Sequence, residues 1–120
     1  IQAGGPIRLK ADRPVLRSYT HVMDVVKLVF ALLEDRDGAP PAPFDTAGDE
    51  VIEIGELAGR SAKLLGHAAM RIERPPLVTQ EPNRYVGDGA VMASLMKQHG
   101  ITSATLDRQI LDTAAYLAVS

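Results

Sequence analysis

A chain of 120 residues with a net charge of −2 and 46% hydrophobic residues is long enough to build one core, short for two domains, and too apolar to remain disordered. That charge gives no electrostatic footprint for nucleic acid or an anionic membrane, so neither is expected and partners must be argued from sites. The lack of cysteine excludes a disulfide framework and a thiolate metal centre and suits the cytoplasm, the expected location, and the longest apolar run, Leu28 to Leu33, is far below the roughly 18 residues of a membrane span.

The chain opens on Ile1 rather than methionine, and Ile1 to Pro6 has neither the basic start nor the apolar stretch of a signal peptide. We therefore expect a piece of a larger protein. Ile7, Leu9 and Val15 to Tyr19 suit short extended segments separated by the polar turn Asp12-Arg-Pro14. From about His21 to Glu34 the pattern is helical and apolar nearly all round, through Val22, Val25, Val26, Leu28, Val29, Phe30, Leu32 and Leu33, which predicts a central helix. Thr20 or His21 is placed to cap it, with Asp24 reaching back to its open backbone N–H groups.

Three prolines and Gly38 within Asp35 to Pro43 make a surface loop. Phe44-Asp-Thr-Ala-Gly48 reads as a strand ending in a turn, followed by the alternation Val51, Ile52, Ile54. A helix over Gly55 to Leu65 would turn Leu57, Ala58, Leu64 and Leu65 to the core, stopped by Gly66 in a left-handed conformation. Met70 to Glu73 suits a strand before Pro75-Pro76. Asp88 is placed to cap a helix running to His99 and ended by Gly100, and Thr105 to cap a last helix with Leu106, Ile110, Ala114 and Leu117 on one face. The sum is a mixed α/β fold of three to four helices with short strands.

The most informative segment is Arg17-Ser-Tyr-Thr-His-Val-Met-Asp24, an arginine one short turn ahead of an apolar helix. A guanidinium offers a rigid fork of donors that suits phosphate oxygens, and the positive end of a helix favours the same negative charge. The octet resembles the Arg-x-Tyr-x-x-Val-x-Asp segment of the extended short-chain dehydrogenases/reductases, the NAD-dependent epimerases and dehydratases acting on nucleotide sugars. Phe44-Asp-Thr-Ala-Gly48, Ile54-Gly-Glu-Leu-Ala58, Arg84-Tyr-Val-Gly-Asp88 and a closing amphipathic helix follow in the family's order. The resemblance runs from about Pro6 to Leu117, and what it resembles is the C-terminal substrate-binding lobe.

By that resemblance Arg17 grips the diphosphate of the substrate, and Arg84 is the second candidate, so that two guanidiniums share two phosphates. Many members carry the second arginine near Val78, where this chain has none, so Arg74 competes with Arg84. Tyr19 could pack beneath the sugar, although a tyrosine at a strand end is more often core with its hydroxyl at the surface. Asp88 and Asp24 read as structural caps rather than catalytic acids. His21, His67 and His99 share no metal-ligand spacing, and no Gly-x-Ser-x-Gly elbow marks a nucleophile.

The resemblance also predicts two absences. The family binds NAD through Gly-x-x-Gly-x-x-Gly, and no glycine triplet here has that spacing. It catalyses through Tyr-x-x-x-Lys, yet four residues beyond Tyr19, Tyr85 and Tyr116 lie Met23, Gly89 and Ser120. The expected function is therefore the substrate-binding portion of an NAD-dependent nucleotide-sugar epimerase/dehydratase, inactive alone. A nucleotide-binding Rossmann lobe of roughly 180 residues or more would complete it. Part of the apolar helix should then be bare and drive self-association. The rival is a free-standing helical interaction module in which Arg17 and Arg84 are ordinary surface charges.

Overall fold

The computed structural model describes every residue except Gln2 and Ser120. Its elements are β1 (Ile7–Arg8), β2 (Val15–Ser18), α1 (Val22–Glu34), β3 (Val51–Glu53), α2 (Ile54–Leu64), β4 (Ile72–Glu73), β5 (Asn83–Tyr85), α3 (Ala90–Gln98) and α4 (Leu106–Ala118). This is the mixed α/β class with four helices and short strands. β2 is the centre of a three-stranded sheet, antiparallel to β3 and parallel to β5, while β1 pairs in parallel with β4.

Helix boundaries follow local chemistry. The His21 ring accepts from the Met23 N–H at the start of α1, Glu53 from Gly55 at the start of α2, and Thr105 from Arg108 at the start of α4. α3 starts after Gly89, with the Asp88 carboxylate accepting from the Ala90 N–H, so Asp88 does the capping work one residue earlier than a formal cap. Gly66 and Gly100 end α2 and α3 with φ of +80° and +66°. In each the glycine N–H and the next one close the turn, onto Lys63 and Ala62 after α2 and onto Lys97 and Met96 after α3, the paired bonds of a Schellman motif.

Three expectations are corrected. Phe44 to Gly48 is not a strand: Phe44 packs on the core, and the segment joins neither sheet among the described residues. Asp24 does not reach back along its own helix; it is 4% exposed and accepts from the Ala104 N–H at 2.8 Å, tying α1 to the approach to α4. Nor is α1 central. Leu28 is buried against Met92 and Met96 of α3, with Val25, Leu32, Phe44, Leu95 and Ile101 around them, but Val22, Met23, Val29, Phe30 and Leu33 are exposed. Only one side of the helix meets a neighbour.

The second packing layer sets α2 on α4, with Ala58, Ala62 and Leu106 buried. The whole is flat and extended, 53 × 37 × 19 Å with a radius of gyration of 17.2 Å, against about 13 to 14 Å for a compact chain of this length.

Candidate anion-binding site

β2 and β5 build the surroundings of Arg17. Register sets Arg17 beside Tyr85 on β5 and Ile52 on β3, so those side chains share one face of the sheet. Arg17 Nη1 donates to the carbonyls of Leu16 at 2.8 Å and Asn83 at 3.0 Å, and Nη2 donates to Asn83 Oδ1 at 3.2 Å. The guanidinium carbon also lies 5.9 Å from the centre of the exposed Tyr85 ring, a cation–π contact. Of the five guanidinium donors, two are left without a protein acceptor among the described residues, one on Nη2 and one on Nε. Neighbouring N–H groups of that kind meet two oxygens of one phosphate.

Arg84 pairs in register with Leu16. Strand alternation therefore places it on the face opposite Arg17, and across these strands the two guanidiniums do not converge. It is exposed and forms no ion pair among the described residues. Arg74, its competitor, is committed elsewhere: it pairs with Glu53, the cap of α2, and donates to the Arg13 carbonyl at 3.2 Å, while its Nε is buried without a partner. It locks the start of α2 to the turn before β2.

Arg17 and the entrance of α1 are neighbours in sequence, one in β2 and the other beginning at Val22. Arg17 sits in β2, ahead of α1 as the spacing predicts, and the His21 ring accepts from the first turn of that helix. The His21 ring is fully used: Nδ1 accepts from Met23 at 3.0 Å, and Nε2 faces Asp112 Oδ2 at 2.9 Å, which fixes the neutral ring as the Nε2–H tautomer. Hydrogen bonds from His21, and then from Arg108, hold the Asp112 carboxyl below its ordinary value. With both nitrogens engaged, His21 clamps α1 to α4. Arg60 is a second clamp, between Asp107 and Glu50, and hydrogen bonds to Asp107 first and Glu50 second raise its pKa.

Tyr19 holds position through its backbone. Its carbonyl accepts from Gln109 Nε2 at 3.0 Å, and Gly48 packs so closely that an added Cβ would stand 2.0 Å from it. Tyr19 joins Leu57, Leu65, Leu106 and Ile110 along a groove of about 600 Å³ between α2 and α4. A second hollow of about 510 Å³ runs between the start of α1 and α4. Neither is lined by Arg17 or Arg84.

Each helix start has a side-chain acceptor on one of its N–H groups, from His21, Glu53, Asp88 and Thr105 in turn. Among the described residues there is no group of three or more His, Asp or Glu side chains able to hold a metal ion, and no helix long and apolar enough to cross a membrane.

No family model matches the chain. It is similar to a dTDP-4-dehydro-6-deoxy-D-allose reductase from a Streptomyces species, with 36% identity over 85 residues that cover 71% of this chain and 23% of that protein. The chain thus spans about a quarter of the length of the curated relative it matches.

Proposed function

We propose that the chain is the substrate-binding portion of an NAD-dependent enzyme acting on a nucleotide-diphosphate sugar, an extended short-chain dehydrogenase/reductase, and that Arg17 grips the diphosphate. The observation that carries this reading is the setting of Arg17, which the sheet anchors through three donors while two neighbouring ones stay open. The open donors, on Nη2 and Nε, are adjacent and suit two oxygens of one phosphate. The order of the sequence motifs and the similarity to a protein named for a dTDP sugar support the substrate class.

In this reading the chain supplies grip rather than chemistry. Holding the diphosphate, away from the reacting carbon, lets binding energy orient the sugar for the groups that transform it. NAD and the catalytic base belong to residues outside these 120, and so does the choice between reduction, epimerisation and dehydration. The bare face of α1, from Val22 to Leu33, is then the surface that the nucleotide-binding lobe covers.

The test is calorimetric titration of the chain with a dTDP-hexose. Saturable binding is expected, weakened at least tenfold by Arg17→Ala and less by Arg84→Ala. A wild-type chain that takes up no ligand at millimolar concentration would remove the nucleotide-sugar reading and leave the free-standing interaction module.

A further inference from the structure

We infer that Asn83 is a positioning residue for the anion grip, acting through Arg17 rather than on the ligand. The inference rests on the diphosphate reading given above. Asn83 is the one residue that holds both terminal nitrogens of Arg17: its carbonyl takes Nη1 at 3.0 Å and its side-chain Oδ1 takes Nη2 at 3.2 Å. These two bonds lie 66 residues apart in sequence from their donor, so they exist only because β5 lies parallel to β2 with Val15 beside Asn83.

A long arginine side chain left free at a surface must be ordered before it can meet a phosphate, and that ordering costs rotamer entropy. Asn83 does that ordering in advance. It occupies the end of the guanidinium that bears Nη1, and the donors it leaves open are the second one on Nη2 and the one on Nε. Tyr85 adds a ring against the same guanidinium, 5.9 Å away, which restricts it from a different direction. An amide suits this role better than a carboxylate, because a neutral acceptor fixes the arginine without cancelling the charge that attracts the ligand.

The experiment uses the 120-residue chain labelled with nitrogen-15, reading the Arg17 Nε–H resonance, assigned by its loss in Arg17→Lys, and titrating thymidine diphosphate as the probe. In the wild type the resonance is expected to be rigid on the nanosecond scale and to shift saturably. Asn83→Ala is expected to loosen it and to weaken binding at least fivefold. Asn83→Asp, which keeps an acceptor at the same place, is expected to restore rigidity but not affinity. Binding by Asn83→Ala equal to wild type, with an Arg17 shift still present, overturns the role of Asn83 and leaves the diphosphate reading standing. Loss of rigidity in Asn83→Asp as large as in Asn83→Ala also overturns it. A wild-type Arg17 resonance that never shifts overturns both together.

Discussion

Arg17 shows how a single residue is shared between structure and recognition. Two of its bonds join β2 to β5 and a third returns to its own strand at Leu16, and the two donors left over are what a phosphate can use. Because the site is a half-buried surface rather than a closed cleft, Arg17→Ala should cost binding of a dTDP-hexose roughly 1.5 to 3 kcal/mol, the range for hydrogen bonds to charged groups. Arg17→Lys should recover only part, since an ammonium cannot reproduce the fork; calorimetry reads both. Asp112 offers a prediction in pH. Its carboxyl titrates below the ordinary value because His21 and Arg108 bond the charged form, so its contribution to stability is full above the unfolded-state value and is lost as pH falls through the depressed one. Asp112→Asn should therefore destabilise the chain near neutrality, and the gap from wild type should close only below about pH 4, as followed by denaturant melts across pH. Gly48 is the third residue of this kind. Gly48→Ala drives a methyl group onto the Tyr19 carbonyl, 2.0 Å away, and should cost about 1 to 3 kcal/mol in urea unfolding as the backbone moves aside.

Among the elements, the helices were more legible than the strands. α2, α3 and α4 carry their own boundaries in short-range signals, a capping side chain at one end and, for α2 and α3, a glycine at the other. Gly100→Ala should destabilise by about 1 to 2 kcal/mol, because φ there is +66° and the methyl group gains no packing, with nothing within 4 Å of its position; thermal unfolding checks this. The strands hold two to four residues each and have little periodicity to read. β5 is the plainest case. Asn83, Arg84 and Tyr85 are all exposed and show no apolar alternation, so only pairing with β2 makes them a strand, and that pairing is also what brings Asn83 to Arg17. Phe44 to Gly48 is the converse, a segment with strand composition that pairs into no sheet among the described residues.

For the whole molecule the notable fact is how little is enclosed. Only seven hydrophobic residues are buried among the described ones, two of them alanines, and the thickness is 19 Å, room for about two layers of helix and sheet. Exposed Val22, Met23, Val29, Phe30 and Leu33 form a broad apolar face on α1, of the kind that marks an interaction surface. The 120-residue chain is accordingly expected to self-associate in a concentration-dependent way, and Phe30→Glu to weaken that association. Sedimentation equilibrium showing a monomer up to millimolar concentration, with no dye-accessible patch, would contradict this. Added NAD and nucleotide sugar should give no turnover, which absorbance of the reduced nicotinamide monitors.

Composition and short-range spacing were enough to reach the fold class, the capping residues of α1, α3 and α4 and the glycine ends of α2 and α3, because each depends on residues only a few positions apart, while Arg17 became a candidate through its spacing together with the family resemblance. The partners of those residues depend on contacts far apart in the chain. Asp24 looked like a local cap and proved to hold Ala104, 80 residues away. Arg74 and Arg84 are both arginines near prolines, and the register of β5 and the place of Glu53 separate a structural ion pair from an exposed cation. α1 is apolar nearly all round in sequence, yet tertiary packing covers one side and leaves the other bare. Hydrophobicity states that a surface must be covered; only the arrangement of the other elements decides whether this chain can cover it.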